Sequence, residues 1–162
     1  MVANEVEEAL GIKTLILGMG NPILSDDGVG LRVINSLNGQ LKRPGITVME
    51  SSTGGLRLLD LLAGYDRAII VDAIQTATGK VGQVYRLRPE AFDGTRHATN
   101  PHDISFSTAL ELGKKLGVPL PRHITVFAIE VEDVLTFGEQ CTPEVEQAIP
   151  VAADMVEKEL LS

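Results

Sequence analysis

Two periodicities alternate along this chain. Short apolar runs, "TLILG" from Thr14 to Gly18 and "RAIIVDA" from Arg67 to Ala73, are closed by a glycine and an acid and read as strands buried on both faces of a parallel sheet. "GITVMES" and "HITVFAIEV" predict two more strands, and "VGQVYRL" (Val81 to Leu87) alternates like a half-exposed one. Between these runs apolar residues recur at helical spacing: Val29, Val33, Ile34, Leu37 and Leu41, then Leu56, Leu58, Leu59 and Leu62, then Phe106, Ala109, Leu110, Gly113 and Leu116. A last helix opens at "CTPEV", with Thr142 as N-cap and Pro143 at its first position, and Pro150 is expected to kink it. Asp103 is expected to cap the helix before it. Pro89 to His102 is the one long irregular stretch. Alternating βαβ units predict a single three-layer α/β domain over residues 1–162, with a mostly parallel twisted sheet of about five strands and helices on both faces. Residues 1–12 are expected to be a loosely ordered N-terminal extension.

Composition narrows the partners more than the fold. At 162 residues with net charge −8, the chain is one ordinary domain, and it lacks the clustered Lys and Arg that nucleic-acid binding requires. No apolar run approaches the roughly 20 residues of a membrane span. The start carries Glu5, Glu7 and Glu8 before any apolar run, unlike a secretory signal, so a cytoplasmic protein is expected. The one cysteine, Cys141, excludes an internal disulfide and a Cys-cluster metal site.

In an open α/β sheet the ligand crevice lies beyond the carboxyl ends of the strands, where strand order reverses. If the first and third strands are neighbours there, the loop carrying Asp26 and Asp27 meets the end of the strand carrying Asp72. The segment "LILGMGNPILSDDGVG" starts as a dinucleotide fingerprint would, but Ile23 stands where its third glycine belongs, and no Lys follows for a P-loop. Two carboxylates would also repel a phosphate at the helix N-terminus. Taken singly, either Asp26 or Asp27 reads as a helix cap worth about 1 kcal/mol, and Asp72 as a turn former. One cap does not need two aspartates. With Asp26 as the cap, Asp26→Asn would change little, leaving Asp27 for chemistry. His97 and His123 read as solvated surface residues. Carboxylates with the imidazole of His102 make a ligand set for a first-row divalent ion. An activated nucleophile is the weaker reading, because no serine lies in a G-x-S-x-G elbow.

"GMGNPILSDDGVG", "STGGLRLLDLL", "IIVDAI", "NPHDIS" and "CTPEVEQAIP" together resemble the hydrogenase maturation proteases, over roughly Thr14 to Leu160. The resemblance implies an endopeptidase that removes the C-terminal extension of the nickel-loaded [NiFe] hydrogenase large-subunit precursor. It implies Asp27, Asp72 and His102 as the catalytic, metal-contacting residues. No permanent cofactor is expected: Ni²⁺ comes with the substrate, with Zn²⁺ or Cd²⁺ replacing it in vitro. The expected partner is the large-subunit precursor, with no nucleic acid and no membrane, and the enzyme is expected to be a monomer. Gly54 and Gly55 are candidate substrate-binding residues, since glycines there would let an extended tail approach the backbone. A non-proteolytic nickel-binding scaffold or chaperone of the same fold is the alternative. A flavodoxin-like nucleotide switch is a third class.

Overall fold

The computed structural model describes residues 2–37, 39–93 and 104–162. Five strands, β1 (Thr14–Met19), β2 (Ile46–Ser51), β3 (Arg67–Ile74), β4 (Val84–Leu87) and β5 (His123–Glu130), form one sheet in the order β2-β1-β3-β5-β4. Only the edge strand β4 runs antiparallel, against β5. β1 and β3 are the buried centre, as their unbroken apolar runs require. The helices are α1 (Val2–Ala9), α2 (Val29–Ser36), α3 (Arg57–Leu62), α4 (Pro89–Asp93), α5 (Phe106–Lys115) and α6 (Pro143–Leu160).

Alternation along the strands separates two cores. Ile16, Ile69, Val71, Phe127 and Ile129 face one side and pack with Val29, Val33 and Ile34 of α2 and Val145, Ala148, Ala152 and Val156 of α6. Leu15, Leu17, Ala68, Ile70, Val126 and Ala128 face the other, against Leu58 and Leu62 of α3, Phe92 of α4 and Phe106 and Leu110 of α5. Helices therefore cover both faces of the sheet. Among the described residues no helix is long and apolar enough to cross a membrane.

Several local expectations change. The stretch from Pro89, read as irregular, begins with α4, because Phe92 has a core to enter. Ser105 caps α5, its Oγ accepting from the Thr108 N–H at 3.2 Å; Asp103, the expected cap, lies outside the described residues. Thr142 precedes α6 but makes no cap hydrogen bond, since its hydroxyl is turned to Asp26. The N-terminal stretch, read as a loose extension, holds α1, and Glu7 pairs with Arg67 of β3 at 3.2 Å.

α2 can lie this close to the sheet only because Gly30 has no side chain. A Cβ there would fall 2.3 Å from the Val71 carbonyl oxygen and 2.5 Å from that of Met19. The close helix–strand approach that a dinucleotide fingerprint assigns to its third glycine is met here further along the chain, at Gly30 inside α2. Gly30→Ala should thus destabilise the fold by roughly 1–3 kcal/mol through overpacking against rigid backbone, measured by urea unfolding. An unchanged midpoint would show that α2 shifts freely.

Candidate functional site

The crevice arises where β1 stops and β3 continues. Pairing of β1 with β3 ends at Gly18 and Val71, whereas β3 stays paired with β5 as far as Ile74 and Glu130. Asp72 is the first residue of β3 past its β1 partner, and it sits opposite Ala128. It is a strand residue and not a turn former. Its side chain is buried, and the Ala73 N–H donates to Oδ1 at 2.8 Å. Burial pushes the Asp72 carboxyl up to about 7; the Ala73 hydrogen bond opposes this, and the charge of Asp27 adds to it.

Asp27 reaches the same place from the loop after β1. Ser25–Gly28 form a 3-10 turn leading directly into α2. The Asn21 N–H donates to Asp27 Oδ2 at 2.8 Å, folding the loop over itself. Gly20, at φ +138°, allows that fold, since a Cβ there would sit 1.9 Å from the Asp27 carbonyl oxygen. Burial raises the Asp27 pKa, and the Asn21 hydrogen bond lowers it. Neither Asp27 nor Asp72 has a Lys or Arg partner among the described residues. One buried and one half-buried carboxyl, both resisting ionisation, would gain from an arriving cation.

His102 and His97 lie outside the described residues. The structure thus brings Asp27 and Asp72 together, and among the described residues no three His, Cys, Asp or Glu side chains gather closely enough to hold a metal ion. His123 is exposed at the amino end of β5, the opposite end of the sheet from the crevice.

Neither aspartate caps α2, whose N-cap is Gly28 without a side-chain bond. Asp26 instead crosses to the loop between β5 and α6 and is completely buried. It accepts from the N–H groups of Glu132 (3.1 Å), Asp133 (3.0 Å) and Thr142 (2.6 Å) and from the Thr142 hydroxyl (2.9 Å). A buried carboxylate must find donors, and this loop supplies them. Sequence reading missed this because the partners lie more than a hundred residues away. Glu130 was missed as well: it is buried at the end of β5, accepting from the Thr76 N–H (2.7 Å), the Thr76 hydroxyl and the Tyr85 hydroxyl (3.1 Å). An acid closing the run "TVFAIE" was the available signal.

Gly54 and Gly55 follow β2 at the same carboxyl-end edge, and the Gly20 N–H donates to the carbonyl of Ser51, the last residue of β2 (3.0 Å). The two glycines differ. Gly55 is a turn residue at φ +63°, while a Cβ on Gly54 would meet nothing within 4 Å.

The family model for hydrogenase maturation proteases matches residues 31–159, beginning just after the Asp26–Asp27 turn. The hydrogenase 2 maturation protease of Escherichia coli is 27% identical over 90% of this chain and 88% of its own. Among solved structures, the hydrogenase maturating endopeptidase HybD from E. coli superposes with a TM-score of 0.78 at 28% identity, over 92% of both chains. The [NiFe] hydrogenase maturation protease HybD from Thermococcus kodakarensis gives 0.67 at 26% identity, over 92% of this chain and 99% of that one. With a sheet that opens at Asp27 and Asp72 and a family match over well more than half its length, the chain belongs to the hydrogenase maturation proteases and is a peptidase.

Proposed function

We propose that this peptidase removes the C-terminal extension of a [NiFe] hydrogenase large-subunit precursor, and that it recognises nickel already held by that precursor through Asp27, Asp72 and His102. The observation that carries the reading is the pair of carboxyls in the crevice, both held back from ionising by burial and neither matched by a cationic side chain among the described residues. A divalent ion arriving with the substrate would replace the missing counter-charge. The enzyme then needs no resident metal, and it acts as a monomer in the cytoplasm. The precursor's ion polarises the scissile carbonyl or a water. The competing route has a carboxylate of the pair, Asp72 being the more buried, take a proton from the attacking water as general base.

The deciding experiment mixes purified protein with large-subunit precursor prepared with and without nickel. Only the nickel-loaded precursor should shorten, and Asp27→Asn should abolish cleavage with a melting temperature no lower than wild type's, because it keeps the acceptor for Asn21 and removes a charge that burial disfavours. Equal cleavage of nickel-free precursor would sink nickel recognition. Binding of the loaded precursor without cleavage would favour the scaffold reading.

The tail is expected to run past Gly54. Gly54→Val has room in the folded protein, so it should cut cleavage roughly tenfold or more by blocking an extended segment while leaving the melting temperature in place. Gly55→Val is strained at φ +63° whatever the tail does, and it cannot serve as the same probe. Full activity in Gly54→Val would place the tail elsewhere.

A further inference from the structure

Among the described residues the two most exposed large apolar side chains are neighbours, Leu135 at 84% and Phe137 at 79%. They lie on the loop between β5 and α6, and that loop is not free. The Asp133 carboxylate accepts from the N–H groups of Leu135 (3.1 Å) and Thr136 (2.9 Å), and Asp26 holds Glu132 and Asp133. Leu24 and Gly138 form a parallel bridge: the Ser25 N–H donates to the Gly138 carbonyl (2.9 Å) and the Gly138 N–H to that of Ile23 (2.8 Å). The Ser25 hydroxyl donates to the Thr136 carbonyl at 2.7 Å. Ser25 is also the only described non-glycine residue at positive φ, +48°. Such strain persists where surrounding structure over-determines it, commonly beside functional sites. Here it joins the apolar loop to the turn that carries Asp27.

We propose that Leu135 and Phe137, with Ile23 (48% exposed) across the bridge, form the docking platform for the body of the hydrogenase precursor, and that the precursor meets it with an apolar surface flanked by basic residues. This rests on the functional reading above and assigns the partner's contact surface. The platform is continuous with the catalytic turn through the Leu24–Gly138 bridge, so a protein whose bond is cut at Asp27 lies against it. Its rim is acidic, with exposed Glu132 and Glu139 beside Asp133 on a chain of net charge −8, which selects a basic complement. Gly54 leads into α3 and Leu135 precedes α6, helices on opposite faces of the sheet. The tail and the body thus approach the carboxyl pair from different sides. The loop backbone that carries these exposed anchors is already held by hydrogen bonds, so binding need not order it.

The test compares wild type, Leu135→Ser/Phe137→Ser and Glu132→Gln/Glu139→Gln on nickel-loaded precursor. The apolar double variant should raise KM roughly tenfold or more with kcat held within about twofold, lose the complex with precursor on gel filtration, and keep its melting temperature because both side chains are solvent-exposed. Wild-type KM should rise with salt, and the Gln double variant should flatten that dependence. An unchanged KM in the apolar variant overturns the platform while leaving the protease reading intact. A salt-independent KM overturns the basic complement. If wild type neither binds nor cleaves the precursor, the functional reading and the platform fall together.

Discussion

Asp72→Asn should make the protein more stable above neutral pH while abolishing cleavage. In the folded state burial holds the proton on Asp72 up to about 7, whereas an unfolded aspartate loses it near 3.8. Between those values the folded state binds more protons, so raising the pH weakens the fold, and the penalty is complete above about 7. A shift of that size corresponds to a cost on the order of 4 kcal/mol for ionised Asp72. Asparagine keeps the acceptor for the Ala73 N–H and carries no charge. It also removes the repulsion with Asp27. The variant's melting temperature should exceed wild type's by roughly ten degrees at pH 8 and approach it near pH 4. An identical pH slope in both proteins would mean that Asp72 is solvated or already paired. A site that weakens its own fold to keep a buried carboxyl beside a second one is the expected signature of a group retained for chemistry.

Asp26→Asn should do the reverse and damage the fold. Its carboxylate receives only donors, from Glu132, Asp133 and Thr142. An asparagine amide must turn its own NH₂ toward at least one of them, leaving buried donors face to face. The expected loss is about 2–4 kcal/mol, read as a lower denaturation midpoint. Activity should fall with it, because Asp26 fixes both the Asp27 turn and the loop bearing Leu135 and Phe137. This replaces the expectation that Asn would substitute freely as a helix cap. A wild-type midpoint in Asp26→Asn would restore the capping role and refute the bridge. The adjacent aspartates therefore have separable signatures: Asp27→Asn loses cleavage without losing stability, whereas Asp26→Asn loses stability first.

The strands and the sheet could be read from the chain because their signal is local. An apolar run such as "TLILG" has no other stable place than between two helical layers, and the helical spacing of Val29, Val33 and Ile34 states which face is buried. The same periodicity overreached at the ends. Leu116 matches its pattern yet is 69% exposed, and Leu56 is half exposed just before α3. Leu37 and Leu41 are buried although α2 stops at Ser36, since a turn can also aim leucines at the core.

The crevice was legible in outline, because parallel topology alone places the loops after β1 and β2 and the end of β3 at one edge, and the β1–β3 pairing realises that. The roles within it were not. Whether Asp26 or Asp27 faces the crevice depends on donors from Glu132, Asp133 and Thr142, and whether Asp72 ionises depends on what buries it. Whether Gly30 tolerates a side chain depends on carbonyls of Met19 and Val71. Local sequence settles what a side chain can do, through its charge, shape and backbone freedom. Which of those capacities is used follows from neighbours brought in from distant parts of the chain, and only the packed tertiary structure supplies them.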